Sequence, residues 1–425
     1  MDLLSFEDLK LIALNFVNKL LIREYEDAVN EFDNNMNEVF DAVKLKDAWE
    51  GYIENAGSIL ELNPIRTSEI EGYKVVLVRC EFQMLKMDVQ IVFNAQGQIG
   101  GLSITPLQSI YNTPKYVEEG NFHELEVTIG EDLWKLAGTI TLPNGEGPFP
   151  GVVLVHGSGP NDRDETIGPN KTFKDIAWGL ATNGIAVLRY DKRTFAHSKE
   201  LTPELVTKMT VDEEVVEDSV KALQVLQENN SINEKGVFLL GHSLGATLAP
   251  RIAKNTTNIC GLILMAGITR PLEDTILDQY TYIYSLTGSE EHNHDLDVLR
   301  EKIERVKNSD LADETPASEL PLNIPVAYWK DLKSYNPSEV VKNLNMPILV
   351  IQGGRDYQVI EEDFNEWKNA LKNNKRADFK LFKDLNHLFI SGHGKATPQE
   401  YMVKGHVAGV VIETMINWIK KMVDM

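Results

Sequence analysis

Residues 236–255 read GVFLLGHSLGATLAPRIAKN. The opening GVFLL is a short apolar run of the kind a buried strand makes, and TLAPRIAKN has helical character. Between them, Gly241-His242-Ser243-Leu244-Gly245 is a G-x-S-x-G pentapeptide. Alone, that pattern is common by chance. A strand before it and a helix after it make it specific: a serine at such a corner has a strained backbone, and the glycines let strand and helix approach closely. The corner lifts the hydroxyl to the C-terminal edge of a sheet, where open α/β sheets bind ligands.

Working outward, the same rhythm recurs from about residue 120. Strand-like runs are HELEVTIG, KLAGTITLP, PGVVLVHG, GIAVLRYD, GVFLLGHS, GLILMAG, PILVIQGG and DFKLFKD, with helical patterns such as FKDIAWGLATN and VVEDSVKALQVLQEN between the later ones. GVVLV and ILVIQ are continuous apolar runs rather than alternating ones, as in a parallel sheet covered on both faces. An opening antiparallel hairpin followed by β-α-β repeats predicts an eight-stranded, mostly parallel, doubly wound sheet over residues 109–425. Residues 268–337 interrupt it. They are helical and charged, carry no clear strand, and read as a cap inserted between two core strands.

Residues 1–108 form a different pattern. LKLIALNFVNKLLIREYEDAVNEF and NEVFDAVKLKDAWEGYI read as two helices, the first with Leu9, Ile12, Ala13, Phe16, Val17 and Leu20 on one stripe. YKVVLVRCEFQ, LKMDVQIVFN and QIGGLSITP then read as strands, with NAQGQ as a hairpin turn. Helices followed by antiparallel strands predict a separate small α+β domain.

Composition narrows the function. The net charge of −22 argues against a nucleic-acid partner, which needs a basic footprint. No run is long enough to span a membrane. The N-terminus lacks a basic region and a small-residue cleavage site, and the two cysteines, Cys80 and Cys260, lie in apolar runs of different domains. These features predict free thiols and a cytoplasmic location. No metal-ligand spacing appears among the cysteines and histidines, so no metal or cofactor is expected.

A serine needs a base to become a nucleophile. For this strand-helix arrangement the chain order is serine, acid, histidine. Asp356 follows PILVIQGG and His387 follows DFKLFKD, each just past a strand and on the same edge as Ser243. His387 is the expected general base and Asp356 its orienting carboxylate. Asp384 is a rival read as a solvated loop charge, Asp191 one read as paired to a nearby arginine; His393, in SGHGK, is read as bordering the site. The oxyanion donors should be the N–H of Leu244 and an N–H from the loop HGSGPND after PGVVLV, Ser158 before Gly157.

HGSGPNDRDETIG, GHSLGA, GGRDYQV and LNHLF together resemble the α/β-hydrolase superfamily, and within it the serine esterases of the dienelactone hydrolase and serine aminopeptidase group. Dienelactone hydrolases proper use a cysteine where this chain has Ser243. Residues 1–108 resemble the small NTF2-like or cystatin-like domain that precedes some of these enzymes. The resemblance implies an α/β-hydrolase fold and ester hydrolysis without a cofactor. The cap carries Tyr280, Tyr282, Tyr284, Tyr328, Trp329 and Tyr335, and His156, Tyr328 and Trp329 are the expected pocket residues. The alternative view is that these rings form the cap's own core. The leading reading is a serine carboxylesterase for small, short-acyl or aromatic esters. Two others compete: a peptidase or amidase using Glu273, Asp274, Glu290 or Glu291 to hold an amino terminus, and a non-catalytic binding protein. The sheet of the first domain offers an edge for homodimerisation.

Overall fold

The computed structural model of the chain describes residues 5–53, 56–70, 73–82, 85–107, 111–287, 293–308 and 310–424. It divides into two compact units, Met1–Asn112 with Met402–Lys404, and Thr113–Tyr401 with Gly405–Met425. The expected domain boundary after residue 108 lies outside the described residues.

The first unit begins with the helix Phe6–Leu21, whose N-terminus is held by a reciprocal cap: the Asp8 N–H donates to Ser5 Oγ and the Ser5 N–H to Asp8 Oδ2. The helix buries Leu9, Ala13, Phe16, Val17 and Leu20, the expected stripe without Ile12. It does not run on to Phe32. Arg23 takes a φ of 65°, a left-handed turn that ends it, and a short helix follows at Tyr25–Val29. The second pattern is likewise split, into Asn34–Val39 and Ala42–Ile53. Four antiparallel strands follow in the order β1 (Ile59–Ile70), β2 (Tyr73–Phe82), β3 (Lys86–Phe93) and β4 (Ile99–Leu107). β1 escapes the sequence pattern because it is an edge strand with Pro64 inside it and an irregular register between Pro64 and Arg66. Cys80 and Cys260 are both free, and burial pushes the Cys80 thiol up to about 12.

The second unit holds all eight expected strands: β5 (Phe122–Ile129), β6 (Leu136–Pro143), β7 (Phe149–Val155), and then, past a two-residue ribbon of β8 (Thr166–Ile167) and β9 (Asn170–Lys171), β10 (Ala186–Tyr190), β11 (Ile232–His242), β12 (Gly261–Met265), β13 (Ile348–Gly353) and β14 (Ala377–Phe382). Their spatial order is β14-β13-β12-β11-β7-β10-β6-β5. β5, β6 and β10 pair antiparallel in turn, and every other neighbour is parallel. This is the eight-stranded, mostly parallel sheet of an α/β hydrolase. The continuous apolar runs are explained by burial on both sides: Val153, Leu239 and Leu264 belong to one core, while Val152, Phe238, Leu240 and Ile263 belong to the other.

Between β12 and β13 the described residues of the insertion are helical, at Leu272–Thr287, Asn293–Lys307, Val326–Lys333 and Pro337–Val341, with no strand among them. Their own core includes Ile276, Val306, Leu320 and Trp329. Among the described residues no helix is long and apolar enough to cross a membrane.

Candidate active site

β11 ends at His242 and the helix Leu244–Lys254 starts at Leu244, leaving Ser243 alone at the corner with φ 54° and ψ −118°. A non-glycine residue there is strained, and the surroundings hold it. The Ser243 N–H donates to Met265 O at 2.9 Å. A Cβ on Gly245 would lie 2.2 Å from Val155 O, and one on Gly241 2.2 Å from Gly245 O. Glycine at both places is therefore what lets the helix start directly against β7 and β11. The Leu244 N–H opens that helix and has no acceptor within it.

The sheet brings two other loops to the same edge. Asp356, after β13, and His387, after β14, are 7% and 4% exposed, with His387 Nδ1 2.7 Å from Asp356 Oδ2. Gln352 Nε2 donates to the same Oδ2 at 3.1 Å, and the N–H groups of Gln358 and Val359 donate to Oδ1 at 2.8 and 2.9 Å. A carboxylate with all these donors stays fixed, and it selects the His387 tautomer with its proton on Nδ1 and a free lone pair on Nε2. Asn386 Oδ1 accepts the N–H groups of Leu388 and Ile390, both at 3.1 Å, which shapes the turn carrying His387. Ser243 and His387 line one cavity of about 470 Å³, with Ser158, Ile268, Leu272 and Tyr328.

The rivals fall elsewhere. Asp384 is exposed. Asp191 pairs with Arg163 at 3.0 Å. His393 is exposed and does not line the cavity, contrary to the expectation that it borders the site. Two expected pocket residues are also corrected. His156 is 1% exposed, with its ring against Phe173 and Tyr190, because it points back into the core beneath the loop. Burial, reinforced by the positive charge of Lys192, pulls its pKa down to about 4. Trp329 is fully buried in the insertion's own core. Of the expected aromatic set only Tyr328 lines the cavity. Tyr280 packs on the insertion core against Tyr284, Tyr282 stacks on Tyr357 at 5.0 Å, and Tyr335 donates to Thr247 O at 2.7 Å.

The loop after β7 explains which amide is available. The Gly157 N–H donates to Glu165 Oε1 at 2.9 Å, so it is occupied, whereas Ser158 faces the cavity. Glu165 is 1% exposed, with φ 49°, and its other oxygen lies 2.9 Å from His242 Nδ1. His242 Nε2 must donate to the His387 carbonyl at 3.0 Å, because a carbonyl only accepts. Burial alone would lower the His242 pKa, but the adjacent Glu165 carboxylate outweighs it and holds the imidazole above its ordinary value. In return, burial raises Glu165, and His242 brings it back below the usual carboxylate range. The two form a buried ion pair beneath Ser243 and His387. Sequence reasoning missed Glu165, Lys192 and Glu214. Glu165 sits in the quoted HGSGPNDRDETIG, but no spacing there marks it, and the other two lie on distant elements.

A family described as a protein of unknown function (DUF3887) matches residues 13–102, and the family described as serine aminopeptidase, S33, matches residues 151–391. Over 413 residues the chain is 39% identical to Esterase EstD of Thermotoga maritima, covering 96% of this chain and 95% of that one. Among solved structures, Est1E from Butyrivibrio proteoclasticus matches with TM-score 0.46 and 14% identity over 71% of this chain and 99% of that one. An esterase of Pyrococcus furiosus matches with TM-score 0.43 and 18% identity, over 71% and 91%.

Proposed function

We propose that this chain, which belongs to the serine aminopeptidase S33 family of α/β-hydrolases and is a carboxylic ester hydrolase, cleaves small esters through an acyl-serine formed on Ser243. The observation that carries the reading is that His387, held by Asp356 at 2.7 Å, lines the same cavity as Ser243. In the proposed sequence His387 Nε2 takes the Ser243 proton as Oγ attacks the ester carbonyl. The Leu244 and Ser158 N–H groups receive the negative charge that develops on the carbonyl oxygen. His387 then gives the proton to the leaving alcohol, and a water molecule, activated in the same way, releases the acid.

The walls support this substrate class. Ile268, Leu272 and Ile276 give the cavity an apolar side. At about 470 Å³ it suits a short acyl chain or one aromatic ring. A peptidase that grips an amino terminus needs an unpaired carboxylate. Among the described residues the two acids lining the cavity are Glu165, paired with His242, and Glu214, paired with Lys192 at 3.0 Å. This favours a neutral ester over a charged peptide. Glu290 and Glu291 lie outside the described residues.

The test is hydrolysis of p-nitrophenyl esters from acetate to palmitate, beside Ser243→Ala. Activity peaking at short chains and lost in the variant supports the reading. Ester turnover that survives Ser243→Ala refutes it.

A further inference from the structure

We propose that Lys192 is a positioning residue for the oxyanion hole, held in register by Tyr328 of the insertion through Glu214; this rests on the acyl-serine reading above. Lys192 lies just past β10 and is 2% exposed. An ammonium so deeply buried needs every proton satisfied. Its Nζ donates to Gly157 O at 2.9 Å and to Gly159 O at 3.0 Å, and its charge is paired with Glu214 Oε1 at 3.0 Å. Two of the three partners belong to the loop after β7.

The consequence comes from the peptide plane. The cis peptide bond among the described residues is Gly147–Pro148, so the Gly157–Ser158 bond is trans. In a trans peptide the C=O and the following N–H point in opposite directions. By drawing the Gly157 oxygen to one side, Lys192 turns the Ser158 N–H to the other. Glu165 meanwhile occupies the Gly157 N–H at 2.9 Å, which leaves Ser158 as the donor of this stretch. A cation on the carbonyl also polarises the peptide group and strengthens its N–H as a donor. Gly159 makes the bend possible, with φ +84°.

The other end of the chain of contacts is in the insertion. Glu214 is 7% exposed and sits in a widened helical turn, Asp212–Val216, a geometry that recurs at functional sites. Its Oε2 accepts the Tyr328 hydroxyl at 2.6 Å. Tyr328 also lines the cavity, so the wall that meets the substrate is tied to the loop that meets the oxyanion.

A purely structural ion pair would support the fold but not the transition state, and the two roles separate experimentally. A trifluoromethyl ketone adds to a nucleophilic serine as a tetrahedral oxyanion, so its inhibition constant reports on the hole. In the full chain, Lys192→Met combined with Glu214→Gln removes both charges together and leaves neither one buried alone. Tyr328→Phe removes only a hydroxyl. The double variant should lose about 10-fold to 100-fold in kcat, with the ketone constant rising by the same factor and KM within about twofold. Tyr328→Phe should show a smaller loss in the same proportion. Unchanged kcat, or a fall in kcat with ketone affinity intact, overturns the proposal. Should the double variant not fold, the same two constants for Tyr328→Phe decide. Ser243→Ala is the control: turnover surviving there would sink the acyl-serine reading instead of this one.

Discussion

Asp356→Asn tests the proposed orienting carboxylate while preserving its shape. In the native site Oδ2 accepts His387 Nδ1–H at 2.7 Å and Gln352 Nε2 at 3.1 Å, and Oδ1 accepts two backbone N–H groups. All of these partners are donors. An asparagine must turn its own NH₂ toward one pair or the other, and either orientation sets two donors against a donor. The backbone pair cannot rotate away, so the NH₂ goes to the Oδ2 position. His387 then presents bare Nδ1 and carries its proton on Nε2, where it cannot accept one from Ser243. A wrong tautomer of this kind costs about 10⁴-fold in kcat, or about 5 kcal/mol of barrier. Stability should fall by no more than about 1–3 kcal/mol, the scale of one compromised buried hydrogen bond. The assay is kcat for p-nitrophenyl butyrate beside a urea melt. A kcat within tenfold of the native value, or an equal loss from Asp384→Asn, would refute the reasoning.

Two further outcomes concern the scaffold. Gly245→Ala places a Cβ 2.2 Å from Val155 O and 2.7 Å from His156 O, both backbone atoms; overpacking of about 1–3 kcal/mol should lower the melting temperature and kcat together, and unchanged values of both would contradict the close-approach argument. His156 is buried and neutral, with a pKa of about 4 against 6.5 when unfolded; its contribution is whole above pH 6.5 and is lost as pH falls toward 4, in total about 3 kcal/mol. Urea melts from pH 7.5 to 4.5 should therefore be flatter in His156→Gln than in the native chain, and parallel curves would remove this histidine from the acid response.

The parts of the molecule read from sequence are those whose signal is local. The strand-corner-helix of residues 236–255 announces itself, because the steric demand that makes Gly241 and Gly245 obligatory lies within a few residues of Ser243. The central strands of the main sheet were legible because burial on both faces leaves unbroken apolar runs. Asp356 and His387 followed from chain order once their strands were placed. What escaped was set by distance in sequence. Glu165 meets His242 across 77 residues, and Tyr328 meets Glu214 across 114. Nothing local to any of these side chains marks its partner. β1 was missed for another reason: an edge strand needs no apolar run, and Pro64 disguises it. Trp329 was placed over the site on residue type, but a large ring in a small helical insertion is more useful as that insertion's core.

The central claim is that Ser243 is the nucleophile. The most direct measurement is peptide mass spectrometry of the full chain after inactivation by a fluorophosphonate. The account predicts one adduct, on the peptide containing Ser243, formed in step with loss of ester hydrolysis. An adduct on a different residue, or full inactivation with the Ser243 peptide unmodified, would contradict it.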